Sequence, residues 1–312
     1  MIKDGFLIDG KSLAEQFLAK LKQQIKTYKS KVKEIPKLAI IFVGDDPASN
    51  IYVKNKMNKA KEVGIEVKLK KFSSDIMEKS LLLEIDALNK DDQISGIIVQ
   101  LPLPWHINKN NVFKKIMPIK DVDGIHPYNV GLLYNGENII TNTIEETLIS
   151  KFYNGFVPCT ARGVLELIKC CVSELSGKNV VIVGRSNIVG RPLAALLLNH
   201  DCTVTICHSK SKELSSHTAN ADIIILAIGS AKFFDDSYFK KDAIIIDVGS
   251  NRDYSDDKLK LVGDVDFHKV KNKAKYITPV PGGVGPMTIA FLLINCFLAK
   301  TYQDNLKNNN YG

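Results

Sequence analysis

Two groups of residues have types and spacings that suit chemistry. The first is the stretch from Gly184 through Arg185, Ser186, Ile188 and Gly190 to Pro192, directly after the apolar run Val180–Val183. Four β-favouring residues, a glycine turn and a helix start put backbone N–H groups where a phosphate can be held, which is the physics of a dinucleotide site. The spacing departs from G-x-G-x-x-G, because Ser186 stands at the second glycine and the last glycine comes one position late. Alone, the fingerprint is therefore weak. The next apolar run ends at Cys207 and is followed by His208, Ser209 and Lys210, where an NAD site carries Asp or Glu. No carboxylate is there to repel a 2′-phosphate, and Arg185, Ser209 and Lys210 can donate to one, so the preference reads as NADP over NAD. The plainer alternative for His208 and Lys210 is a solvated strand end.

The second group is Ser49, Tyr52 and Lys56, spaced i, i+3 and i+7 after the apolar run Leu38–Val43. On a helix these share one face just beyond the carboxyl end of a strand, where open α/β sheets place their chemistry. Gln100 is polar and ends another apolar strand, and Lys120-Asp121-Val122-Asp123-Gly124 is a turn-rich loop with two carboxylates. Each has a bland reading beside the sharp one. Tyr52 and Lys56 also read as a solvated helix face, Asp123 as a turn or cap residue, and Gln100 as a strand-end hydrogen bond.

The elements that must position these residues follow from periodicity. Ser12 and Glu15 form a capping box before Leu13, Phe17, Leu21, Ile25 and Tyr28 at helical spacing. Strand 38–43, a helix from Ser49 to Glu62 stopped by Gly64, strand 65–69, helix 81–88 and strand 95–101 repeat β-α units. The stretch 135–154 is poorly patterned and reads as an extended connection. Beyond it come helix 160–172, the glycine-turn strand, helix 193–198, and buried strands ending at Gly229 and Gly249, which make the second half doubly wound. A Pro/Gly loop, 277–286, leads into a last apolar helix from Pro286 to Lys300, with the tail from Asn305 frayed.

Composition bounds the rest. The chain has 312 residues, 45% hydrophobic and 24% charged, enough for two modest cores. Its net charge of +8 comes mainly from scattered lysines, so no nucleic-acid stripe is expected, and a negatively charged substrate or cofactor fits the surplus. The six cysteines show no C-x-x-C pair, and the six histidines no ligand-like cluster, so reduced thiols and no metal are expected. The first ten residues lack a signal-peptide core, and the apolar run 289–299 is too short to span a bilayer.

Taken in order, these motifs resemble the bifunctional methylenetetrahydrofolate dehydrogenase/methenyltetrahydrofolate cyclohydrolase family from about Ile8 to Lys300. The matching stretches are Ser49–Lys56, Gln100–Pro104, Lys120–Gly124, Val157–Thr160, Gly184–Pro192 and Pro279–Thr288. The resemblance implies an α/β chain of two domains with a cleft between them. Residues 1–157, joined by helix 286–312, would bind folate, and 158–285 would form a doubly wound Rossmann-type NADP domain. It further implies that Lys56 is the acid/base residue, Tyr52 positions substrate and lysine, Gln100 tunes the lysine, and Asp123 anchors the pterin. Substrate contacts would include Ser49, Val99, Leu101, Pro281, Gly282 and Gly283. Cofactor contacts would be Gly184, Arg185, Ser186, Ile188, Gly190, Pro192, His208, Ser209, Gly229 and Ser250. A cytoplasmic homodimer with a tetrahydrofolate substrate is implied, with neither a membrane nor a nucleic-acid partner. Ala161, Arg162, Ser230-Ala231 and Ser250 depart from the usual pattern. A member with one activity alone, or a non-catalytic NADP-binding module, are the alternatives.

Overall fold

The computed structural model describes residues 1–4, 6–32, 34–136, 155–253 and 260–309, without the side chains of Ala48 and Asn309. Most of the stretch read as an extended connection, 137–154, lies outside the described residues. The chain divides into two compact units, Gln16–Cys159 with Ile289–Gly312, and Met1–Glu15 with Thr160–Thr288. They are called here the Lys56 unit and the Gly184 unit. The boundary expected at residue 157 left the first fifteen residues with the Lys56 unit. They group instead with the Gly184 unit because β1 (Ile2–Lys3) and β2 (Leu7–Ile8) pair antiparallel, and Leu7 pairs in parallel with Ile277.

Helix α1 (Gly10–Lys31) starts in one unit and ends in the other. Its cap is Asp9 rather than Ser12, since the Ser12 amide and hydroxyl both donate to the Asp9 carboxylate, at 2.9 and 2.8 Å. In the Lys56 unit there follow β3 (Lys37–Val43), α2 (Pro47–Val63), β4 (Glu66–Phe72), α3 (Glu78–Lys90), β5 (Gly96–Val99), α4 (Lys109–Lys115) and α5 (Pro127–Tyr134). β3 is central, parallel to β4 on one edge and β5 on the other. That is why it is a continuous apolar run, buried from Leu38 to Val43. Ala39, Ile41, Val43, Ile97 and Val99 pack with Leu81, Ile85 and Leu88 of α3 in one core. A Cβ on Gly96 would meet Val122 Cγ1 at 2.4 Å, so glycine there lets the loop after α4 lie against β5.

The Gly184 unit holds α6 (Cys159–Lys169), β6 (Asn179–Val183), α7 (Gly190–Leu198), β7 (Thr203–Cys207), α8 (Leu214–Thr218), β8 (Ile223–Leu226), β9 (Ile244–Asp247), β10 (Asn251–Asp253), β11 (Lys260–Val262), α9 (Phe267–Val270) and β12 (Tyr276–Ile277). The main sheet runs β1-β2-β12-β9-β8-β6-β7, and its strands from β2 onward are parallel. From β6 the chain steps outward to β7, then returns to the other side of β6 as β8. The switch point therefore lies between β6 and β8, and ligands of open α/β sheets bind at the carboxyl ends there. Arg162, where a lysine is usual, is buried and pairs with Glu166 at 3.0 Å.

The last helix, α10 (Val284–Asn309), starts before Pro286 and continues past Lys300, and residues 305–309 are helical rather than frayed. By length and composition it could cross a membrane, which the count over 289–299 had excluded. Its most apolar window is 72% buried, and Ala290 to Ile294 and Cys296 to Ala299 are core residues, so its apolarity is that of an interior helix.

Lys120 ties this architecture at one point. Its buried ammonium donates to the carbonyls of Leu88, Asn89 and Asp91, at 3.2, 2.8 and 2.8 Å. The final carbonyls of α3 have no helical partner, and a cation is favoured at that end. Lys120→Met keeps the stem and removes the donors, so it is expected to cost about 2–4 kcal/mol. A lowered urea midpoint with an unchanged slope is the expected readout.

Candidate active site

Lys56 and Gln100 are far apart in sequence and meet because their strands are neighbours. β3 ends at Val43 and hands over to α2, while β5 ends at Val99 beside it, with the Gln100 amide donating to the Ile41 carbonyl at 2.8 Å. α2 begins under an Asp46 cap that accepts from the Ser49 amide and hydroxyl, at 2.8 and 2.9 Å, and stops at Gly64, φ +92°. Lys56 Nζ then donates to Gln100 Oε1 at 2.9 Å. The Gln100 amide is oriented by its own Nε2, which donates to the Leu101 carbonyl at 2.7 Å. The buried Ser49 Oγ, whose proton goes to Asp46, lies 3.4 Å from the same carbonyl. Tyr52 lies half-buried one turn before Lys56.

Burial and a nearby carboxylate act on this lysine in opposite directions, and burial is the larger. Burial pushes the Lys56 ammonium below its ordinary value, and the nearby Asp123 carboxylate partly opposes that. Burial also pushes Asp123 up, opposed by Lys56 and by a hydrogen bond from the Cys159 thiol. Cys159 itself is held well above the ordinary thiol value, chiefly by burial, so it stays protonated and donates. Its Sγ is also 3.2 Å from the Val122 carbonyl.

The two carboxylates of the loop divide cleanly. Asp121 accepts from the His126 amide at 2.7 Å and from Asn129 Nδ2 at 2.8 Å, and burial lifts its pKa to about 6. It ties the loop to α5, whereas Asp123 is near enough to Lys56 for their charges to interact. Asn295, the polar break in apolar α10, donates to the Val122 carbonyl at 2.9 Å and pins the backbone next to Asp123.

In the Gly184 unit the glycine turn is as tight as its sequence suggests. Gly184 has φ +125°, and a Cβ on it would meet the Ala227 carbonyl oxygen at 2.3 Å. A Cβ on Gly190 would meet the Gly184 carbonyl oxygen at 1.9 Å. Helix α7 thus starts against the turn, with Pro192 and Leu193 buried beneath it. Ser186 Oγ accepts from the Val189 amide at 3.0 Å, which closes the turn where a second glycine was absent. Arg185, Ser209 and Lys210 are exposed and Ile188 is half-buried. His208 caps its own loop, accepting from the Lys210 amide at Nδ1, 3.1 Å, while its amide donates to Ser211 Oγ at 2.9 Å. Gly229 and Ser250 lie on turns after β8 and β9. Pro281, Gly282 and Gly283 belong to this unit. The Gly282 carbonyl is occupied by the Lys11 amide at 2.9 Å, and a Cβ on Gly283 would meet the Pro279 carbonyl at 2.6 Å, so close packing as well as open access calls for glycine.

Comparison with known proteins decides what these two sites belong to. Residues 8–123 match the model of the tetrahydrofolate dehydrogenase/cyclohydrolase catalytic domain, and residues 158–304 match that of the NAD(P)-binding domain of the same family. The bifunctional protein FolD of Rickettsia bellii is 55% identical over 289 residues, 93% of this chain and 96% of that protein. This chain belongs to the tetrahydrofolate dehydrogenase/cyclohydrolase family. Solved relatives superpose closely. The bifunctional enzyme FolD, methylenetetrahydrofolate dehydrogenase/cyclohydrolase, from Campylobacter jejuni is 45% identical with a TM-score of 0.86, covering 97% of this chain and 99% of that one. The Trypanosoma brucei FolD, complexed with NADP cofactor and inhibitor, is 35% identical with a TM-score of 0.86 over the same shares.

The structure brings Ser49, Lys56, Gln100, Leu101 and Asp123 into one cluster of the family's catalytic domain. Sequence reading missed Cys159 and Asn295 as its supports. A cysteine between Pro158 and Thr160 and an asparagine inside an apolar helix were the available signals. Gln100→Glu places an anion within hydrogen-bond reach of Lys56, and an anion favours the ammonium form. The Lys56 pKa should rise by about one unit or more, as read by NMR titration of its side chain; an unmoved or lower pKa would contradict the geometry.

Proposed function

We propose that this chain catalyses two successive steps of one-carbon folate chemistry, oxidising 5,10-methylenetetrahydrofolate to the 5,10-methenyl cation with NADP and hydrolysing that cation to 10-formyltetrahydrofolate. The observation that carries the proposal is the Lys56–Gln100 hydrogen bond at 2.9 Å, on a lysine whose ammonium is disfavoured. A lysine of ordinary pKa is fully protonated at neutral pH and cannot accept a proton from water. Burial shifts Lys56 toward the form that can, and the amide that holds it adds no charge to oppose that shift.

In the hydrolytic step Lys56 accepts a proton from the water that attacks the methenyl carbon. As the carbon–nitrogen bond to N5 breaks, N5 takes up one of the two water protons and the other is released to solvent. Asp123 accepts the ring N–H and exocyclic amine of the pterin together, fixing position and orientation at once. Tyr52 and Ser49 line the same helix face, and Val99 and Leu101 flank Gln100.

The Gly184 unit fits a dinucleotide. The turn from Gly184 to Gly190 admits close backbone approach, and the start of α7 offers its first amides to a phosphate. Arg185, Ser209 and Lys210 supply donors for a 2′-phosphate, while Ser186, Ile188, Pro192, His208, Gly229 and Ser250 complete the contacts. When bound, NADP accepts the hydride that leaves the methylene carbon. The same reading makes the enzyme a cytoplasmic homodimer, and light scattering of the purified protein tests the dimer.

The direct test follows absorbance with 5,10-methylenetetrahydrofolate and either NADP or NAD, before and after acid quench. NADPH forming without accumulated methenyl product is expected; accumulation would point to a dehydrogenase alone, and no reduction to a binding module. Lys56→Met should lower cyclohydrolase turnover by about 10²–10⁴-fold and leave part of the dehydrogenase, whereas equal retention of both activities would refute the assignment. Asp123→Ala should raise the folate Kd by about 10–100-fold through loss of a charge-assisted pair, measured by calorimetry.

A further inference from the structure

One buried carboxyl group plays no part in the chemistry above. Asp264 is 0% exposed and accepts from four N–H donors. Its Oδ2 accepts from the amides of Ile228 and Gly229, at 2.7 and 3.1 Å, and its Oδ1 from the amide of Ser230 and from Asn251 Nδ2, at 2.9 and 2.8 Å. Asp264 is itself held by Asp247, which accepts from the amides of Gly249, Asp264 and Val265 at 2.9 Å each. Two glycines make room for this pair. A Cβ on Gly249 would meet the Asp264 amide nitrogen at 2.4 Å, and one on Gly263 would meet Asp247 Oδ2 at 1.8 Å.

The turn that Asp264 holds is the one after β8, at the carboxyl edge next to β6. That is the switch point, and Ile228, Gly229 and Ser230 are exposed above the buried carboxylate. Three successive amides of the turn are committed inward. The backbone groups left to a ligand are therefore carbonyl acceptors, so what the turn can receive is a hydrogen-bond donor.

We propose that Asp264 is a positioning residue, setting the 228–230 turn so that its carbonyls receive the carboxamide of the nicotinamide ring. The proposal rests on the NADP reading and deepens it. The adenosine end is held separately, by the glycine turn and the loop after β7, so Asp264 acts on one half of the cofactor only. A role confined to stability would weaken both halves alike.

Two measurements on the full chain test this, both by calorimetry and neither requiring turnover. In the native protein, the analogue of NADP with nicotinic acid in place of nicotinamide lacks the donor and should bind at least about tenfold more weakly than NADP. Equal affinity would overturn the proposal. Asp264→Asn preserves shape but turns an N–H group toward the turn amides. It should weaken NADP by about tenfold and leave adenosine 2′,5′-bisphosphate within about twofold. Equal loss of both ligands, or of neither, would overturn it. Failure of the native protein to bind NADP or the bisphosphate would instead remove the NADP reading itself.

Discussion

The contact around which the Lys56 unit is arranged holds a lysine in place where burial works against its charge. Burial alone disfavours the ammonium but leaves a long side chain free to wander. A carboxylate partner would fix it and restore the charge. A neutral amide fixes the nitrogen without that cost, and Gln100, itself held by the Leu101 carbonyl, does so. The fold serves this contact. β3 and β5 are adjacent and parallel, so the segments leaving their carboxyl ends emerge at the same edge, and Lys56 and Gln100 meet although 44 residues separate them.

The same residue type does three jobs in the chain, and partners decide which. Asp121 and Asp264 are buried among backbone and amide donors and organise loops. Asp46 and Asp9 are half-buried caps that start helices. Asp123 instead interacts with the charge of Lys56 and accepts from the Cys159 thiol. A carboxylate already satisfied by backbone amides has little left to offer a ligand.

Much of this was legible in the sequence, for physical reasons that differ by element. The buried runs 38–43, 180–183, 223–226 and 244–246 are unbroken and apolar, which parallel sheets demand. The face carrying Ser49 and Lys56 followed from helical spacing, and its partner Gln100 from being polar at a strand end. What was not legible depends on contacts between distant segments. Asp9 displaced Ser12 as the cap because it accepts two bonds from that serine. The first strands joined the Gly184 unit through a pairing with residue 277, which no local pattern announces. The supports Cys159 and Asn295 look like ordinary core residues until the loop they hold is in view. Asp264 sat in a short Gly-Asp-Val run that periodicity passes over.

The pairing of Leu7 with Ile277 also shapes how the protein comes into being. A nascent chain is delivered from its N-terminus, so the first strand pair emerges long before the strand it must join. The Lys56 unit likewise waits for Ile289 onward, although its central sheet is made early. At translation rates of about 5–20 residues per second the gap is tens of seconds or less. Over that interval the apolar faces of β2 and the early sheet lack their final cover. The Gly184 unit has all its residues once Thr288 is made, whereas the Lys56 unit has them only when the rest of α10 follows.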